Sequence, residues 1–165
     1  MYKHHYIFKL ITFINKKNSL KKTILFLDTY SPKLVTWIFY FTLAYLAMKR
    51  DIRILYVGLI PLITFLVVTV TRNLLNLKRP FEELAFKPLL PHSVGRACPS
   101  RHAASSVIIT FAVYYICPSL GIFTGILSII ICFTRVLTGV HYPRDVICGA
   151  SLGIIIGYIS FFVLL

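Results

Sequence analysis

Carboxylates are scarce in this sequence. Asp28, Asp51, Glu82, Glu83 and Asp145 stand against 18 lysines and arginines. A metal-dependent hydrolase needs clustered carboxylates. Only Glu82, Glu83 and Asp145 fall on the side where the other polar groups gather, which is too few, so no metal and no cofactor is expected. The four cysteines, Cys98, Cys117, Cys132 and Cys148, form no CxxC or Cys/His zinc pattern. They suit small residues packed among helices. None starts the Cys-x5-Arg pattern of a cysteine phosphatase; at that offset from Cys98 stands Ala104. No GxxxxGK[ST] occurs, which excludes a Walker-type phosphate loop. Residues 1 to 31 lack an apolar core followed by a small-residue cleavage site, so no cleavable signal peptide is expected. From Ala103 to Thr134 there is no charged residue.

What is present is apolar. Only 14% of residues are charged, against roughly 25% in soluble domains. The hydrophobic share is 58% and the mean hydropathy +0.80, more apolar surface than a soluble chain of this size could hide. The sequence is that of an integral membrane protein, and its 165 residues make one domain the expectation. The net charge of +13 has three readings. Nucleic-acid binding is disfavoured, because the bases do not gather on a soluble module. Attraction to anionic lipid headgroups explains part of it. A phosphate-binding site is the third reading, and the arginine positions decide it.

Residues 1–31 carry Lys3, Lys9, Lys16, Lys17, Lys21 and Lys22 among short apolar groups. Neither "YIFKLITFI" nor "TILFL" reaches the roughly 20 residues a span needs, so a basic amphipathic segment at the membrane surface is expected. Residues 32–165 form the membrane domain. A span over 33–48 opens with Pro32 near its first position, and Lys49, Arg50 and Arg53 make a basic loop. A second span covers 54–77, tolerating Gly58 and Pro61. A polar, proline-rich loop fills 78–100. Pro118, Ser119 and Gly121 divide the next run into helices near 101–117 and 119–138, and the last span runs from 145 to 165. The fold class is therefore an all-α polytopic helix bundle, with five spans plus an N-terminal interfacial segment. Alternation puts the 78–100 loop and the 139–144 turn on one side and the 49–53 loop on the other. The positive-inside tendency makes 49–53 cytoplasmic; the N-terminal lysines then lie outside, against the same tendency.

The unusual polar residues all fall on the loop side. "RNLLNLKRP" holds Arg72 and Arg79 seven residues apart, nearly two turns, which predicts one shared helix face before Pro80 stops the helix. Arg79 alone suits a snorkelling side chain; Arg72, two turns deeper, suits function better. In "CPSRHAASS", Ser100 occupies an N-cap position before Arg101 and His102. It is a simple cap or part of an anion site at a helix N-terminus. In "RVLTGVHYPRD", Arg135 closes one span, His141 follows Gly139, and Asp145 begins the next. A carboxylate on one ring nitrogen would fix the tautomer and activate the other; a satisfied interfacial histidine is the alternative. Jointly, arginine forks suit phosphate oxygens, and two histidines suit a nucleophile plus a proton donor.

These three stretches resemble the signature motifs of the type 2 phosphatidic acid phosphatase superfamily, which includes bacterial membrane lipid phosphatases. Its pattern is Lys-x6-Arg-Pro, Pro-Ser-x-His and Ser/Arg-x5-His-x3-Asp, and the resemblance covers about residues 24 to 155. Arg72 stands where the lysine is usual. The resemblance implies that His141 is the nucleophile that forms a phosphohistidine. Asp145 orients it, and His102 protonates the leaving oxygen and later activates water. Arg72, Arg79, Arg135 and Ser100 hold the phosphate, with developing charge met by preorganised donors. It implies six spans and an extracytoplasmic site in the bacterial cytoplasmic membrane. The soluble vanadium haloperoxidases share such a site, but this composition excludes them. The expected partners are the bilayer and a phosphorylated lipid, either undecaprenyl pyrophosphate or phosphatidylglycerophosphate. A lipid phosphotransferase and a non-enzymatic transporter or scramblase are the alternatives.

Overall fold

The computed structural model describes residues 5–90 and 92–164. Lys3 and Leu165, named above in the N-terminal segment and the last span, lie outside them. The described chain is helical, without strands: α1 (His5–Lys16), α2 (Asn18–Met48), α3 (Arg53–Leu75), α4 (Pro80–Glu83), α5 (Arg101–Ile116), α6 (Pro118–Leu137) and α7 (Pro143–Tyr158), which continues as a π turn over Ile159–Val163.

α1 is amphipathic. Ile7, Ile11 and Ile14 recur at helical spacing and are buried, while Lys9 and Lys16 are exposed. Lys17 turns the chain in an extended conformation, and α2 begins at Asn18. This corrects the expected start at Pro32. Pro32 lies inside α2, and the 31-residue helix is about 46 Å long at 1.5 Å per residue. Its buried stripe, Ile24, Asp28, Ser31, Val35, Thr42 and Leu46, runs unbroken through the proline. Tertiary burial carries the helix across a residue that disrupts the isolated element.

α5 is the centre of the bundle and packs against α2, α3, α6 and α7. Small residues set the distances. A Cβ on Gly149, Gly153 or Gly157 of α7 would lie 2.4 Å from Ser100 O, 2.9 Å from Ala104 O and 2.6 Å from Phe111 Cγ respectively. The four-residue glycine spacing thus seats α7 closely against Ser100 and α5. Outside this core the helices present Trp37, Phe41, Leu62, Ile129, Phe133 and Ile154 to the surroundings, as a lipid-facing surface requires.

Among the described residues, three helical stretches are long and apolar enough to cross a membrane: Arg53–Glu83, Pro118–Leu137 and Pro143–Val163. Five spans were expected; α2 and α5, the other two of that expectation, depart from the simple pattern. The first half of α2 carries Lys21, Lys22 and Asp28. α5 has 16 residues, about 24 Å, and its neighbours enclose it. The architecture is an all-α polytopic membrane bundle. One end is closed by α1, residues 76–90 and 92–100, and residues 138–142. There Ile7 and Ile11 pack with Tyr142, Phe86 and Leu89, and Leu89 N donates to Thr138 O at 3.1 Å.

Candidate active site

The closed end gathers every residue singled out above, though not always by the expected route. α3 ends at Leu75, and Asn76 takes a left-handed conformation (φ 39°, ψ 41°). Arg72 therefore sits in the last turn of α3, buried, whereas Arg79 has left that helix and is the residue before α4. The shared helix face predicted from the seven-residue spacing is corrected: the left-handed Asn76 stops α3, and the turn that follows returns Arg79 to the site. Pro80 opens α4 rather than ending α3.

Arg79 is 2% exposed, and backbone carbonyls hold its guanidinium. Nε donates to Gly95 O and Nη1 to Val140 O, both at 3.0 Å. It thereby fastens the 76–100 loop to the turn before His141. Glu82 Oε1 completes the clamp, accepting from Arg79 N at 3.1 Å and Gly95 N at 2.6 Å.

Ser100 precedes α5, fully buried. Its hydroxyl makes no capping bond and has no hydrogen-bond partner, so the simple-cap reading does not describe it. Its amide donates to Asp145 O at 2.9 Å, which ties the starts of α5 and α7 together. Gly149 makes the approach possible.

α7 starts at Pro143, with Tyr142 before it. Asp145, third in the helix, reaches back so that Oδ2 accepts from Tyr142 N at 2.9 Å, half of a capping box. The same oxygen lies 3.7 Å from His141 Nδ1, too far for a hydrogen bond. Nδ1 has no hydrogen-bond partner. His141 N donates to Arg135 O at 3.2 Å, and Gly139, at φ 76°, makes the turn that a residue with a Cβ would strain. Tyr142 adds a brace, its hydroxyl donating to Glu83 Oε2 at 2.6 Å.

Burial holds the His141 imidazole well below its ordinary value, at about 4. The Asp145 carboxylate opposes the shift, and the charges of Arg79 and Arg72 add to it. His141 is thus neutral at physiological pH. His102 is half-buried in the first turn of α5. It lines a small cavity of about 70 Å³ with Pro32, Thr36, Ser106 and Ile131.

Arg135, 4% exposed, meets a residue that sequence reasoning missed. Its Nη2 donates to Asp28 O at 3.1 Å and lies 3.1 Å from Asp28 Oδ2. The carboxylate contact is poorly aligned, so it is a charge contact. Two signals pointed to Asp28: it is the one acid in the first fifty residues, and it stands four residues before Pro32. Glu82 and Glu83 were noticed as too few for a metal, but their bracing roles were not read.

With this geometry in place, the relatives are informative. The family model described as the PAP2 superfamily matches residues 53–164. The chain belongs to the PAP2 superfamily. It is 31% identical over 83 residues to the undecaprenyl-diphosphatase BcrC of Bacillus subtilis, covering 50% of this chain and 43% of that one. It is 35% identical over 80 residues to the putative undecaprenyl-diphosphatase YbjG of Escherichia coli, covering 47% and 39%. The matched stretches thus span less than half the length of these PAP2 relatives. The PAP2 fold is shared with the crystal structure of LpxE from Aquifex aeolicus, at a TM-score of 0.70 and 23% identity over 93% of both chains.

Proposed function

We propose that this membrane PAP2 protein is a lipid phosphatase that works through a phosphohistidine on His141 and needs no metal. The convergence of Arg72, Arg79, Arg135, His102, His141 and Asp145 at one end of the bundle carries this reading. The lone pair of His141 Nε2, the nitrogen turned away from Asp145, attacks phosphorus. An N–P bond forms and the P–O bond to the leaving group breaks, while His102 gives its proton to the departing oxygen. His102 then takes a proton from water. The water oxygen attacks phosphorus, the N–P bond breaks and inorganic phosphate leaves. The arginines and Ser100 meet the charge that spreads over the phosphoryl oxygens. Among the described residues, no three of His, Cys, Asp or Glu gather as a metal would require.

A lipid substrate suits the surroundings. An apolar groove of about 480 Å³ between α2, α3 and α5, lined by Phe39, Leu43, Pro61 and Phe65, reaches Ser105, one turn along α5 from His102. It is suited to a hydrocarbon chain. The names of the curated relatives favour undecaprenyl pyrophosphate, with phosphatidylglycerophosphate as the other candidate. The site is proposed to face outward from the bacterial cytoplasmic membrane, with the 49–53 loop inside.

The deciding experiment is phosphate release by the purified full chain in detergent, in EDTA, from undecaprenyl pyrophosphate, phosphatidylglycerophosphate and phosphatidic acid. Release from at least one is expected. Loss of turnover in EDTA with recovery on adding a divalent cation would count against the metal-free mechanism. Phosphate appearing on a second lipid instead of in solution would identify a phosphotransferase, and lipid movement without release a transporter. Orientation is read by labelling a unique cysteine placed at Lys87: labelling only after lysis would invert the proposed topology.

A further inference from the structure

Asp28 takes part in none of these steps, yet it is buried to 2% exposure against Arg135. The contact originates in α2. Pro32 has no N–H, so the carbonyl four residues earlier, that of Asp28, loses its helical donor. Arg135 Nη2 fills the vacancy at 3.1 Å, with the Asp28 carboxylate 3.1 Å from the same nitrogen. Arg135 Nε is buried with no hydrogen-bond partner. One nitrogen of the fork is therefore held, and another is left over.

Resting on the reading of Arg135 as a phosphate ligand, we propose that Asp28 is a positioning residue that acts as a resident counter-ion. Its carbonyl and carboxylate fix Arg135 through Nη2, leave Nε for a phosphate oxygen, and offset part of the arginine's charge. A buried guanidinium with no counter-charge is strongly disfavoured; Asp28 supplies that charge while the site is empty. Once phosphate is bound, the carboxylate repels it. Arg72, Arg79 and Arg135 together attract inorganic phosphate, the last species to leave, and Asp28 keeps that attraction from trapping it.

The test is product inhibition by inorganic phosphate in the purified full chain, with thermal melts to establish folding. Asp28→Asn preserves shape and the carbonyl contact but removes the charge. The inhibition constant should fall about tenfold, the scale of one nearby unit charge after solvent screening, with kcat and KM falling together. Arg135→Gln should raise the inhibition constant, and adding Asp28→Asn to it should tighten inhibition less than Asp28→Asn does alone. A merely structural Asp28 would give unchanged or weaker phosphate inhibition, and that result overturns the proposal. If phosphate fails to inhibit the wild type, or Arg135→Gln leaves inhibition unchanged, the phosphate-site reading itself fails. Should Asp28→Asn not fold, Pro32→Ala is the second probe. Its restored N–H competes for the Asp28 carbonyl and loosens Arg135, so turnover should fall and the wild-type rate should not survive. Wild-type turnover and inhibition in Pro32→Ala would overturn the proposal equally.

Discussion

The two ends of the bundle use their acids differently. At the end away from the site, Asp51 serves its own turn. It accepts from Arg53 N and Nε at 2.9 Å each and from Nη2 at 2.6 Å, across two residues of sequence and in contact with solvent. At the other end, four acids bind groups on different elements or start a helix: Asp28 to Arg135 on α6, Glu82 to Gly95, Glu83 to Tyr142, and Asp145 to Tyr142 N and His141. Exposed local pairs contribute little, whereas a buried pair such as Asp28–Arg135 costs about 3–5 kcal/mol when broken on one side. A chain with five acids has placed four where they organise a site and one where it merely closes a loop.

The sharpest way to test this asymmetry is to remove the chemistry. His141→Ala should abolish the phosphoenzyme and lower turnover by at least about a thousandfold, read as loss of labelled protein and of phosphate release. His102→Ala should lose about 10²- to 10⁴-fold, with a smaller loss for a pyrophosphate lipid, whose leaving group needs less protonation than an alkoxide. Equal loss on every substrate in His102→Ala, with leaving-group dependence in His141→Ala, would reverse the two roles.

Next in size is Gly149→Ala. The added methyl would meet Ser100 O at 2.4 Å, so α7 must move. A destabilisation of about 1–3 kcal/mol is expected, seen in thermal unfolding, with turnover lower by about 10²-fold because the reacting groups are displaced. Wild-type activity in this variant would mean that the α5–α7 seating does not govern the site.

A smaller effect is expected from pH. His141 has its value lowered from 6.5 to about 4. The neutral, nucleophilic form therefore persists as pH falls through 6.5, and kcat/KM should show its acid limb near 4. The linkage has the matching sign: between about 6.5 and 4 the unfolded chain binds a proton that the folded site excludes, so stability falls with pH across that window and levels off below it. An acid limb at 6.5 would show that His141 is solvated during turnover. The smallest effect belongs to the far end. Asp51→Asn should leave turnover at the wild-type rate, and a substantial loss would erase the contrast between the ends.

The spans and their polar ends were legible in the sequence, because apolar runs and charged interruptions register directly in hydropathy. The residues proposed for the site stand out in the sequence by their positions at span ends. Three things were not visible. The start of α2 was hidden, since Lys21, Lys22 and Pro32 interrupt the apolar pattern while the buried stripe from Ile24 to Leu46 continues beneath them. The left-handed turn at Asn76 was invisible to a periodicity argument that carried α3 onward to Arg79. Asp28 was assigned to a surface segment because its partner lies 107 residues away, and single-sequence patterns carry no information about such a distance.

The glycine ladder on α7 also bears on how this protein can change over time. Because Gly149 and Gly153 seat α7 on the Ser100 and Ala104 carbonyls and Gly157 seats it on the Phe111 ring, the register between the two helices does not depend on the outward residues Ile147, Ile154, Ile155 and Tyr158. Those positions are free to drift with the thickness and composition of the host bilayer. Adaptation to a new membrane and preservation of the chemistry thus fall to opposite faces of one helix, and selection can act on each separately.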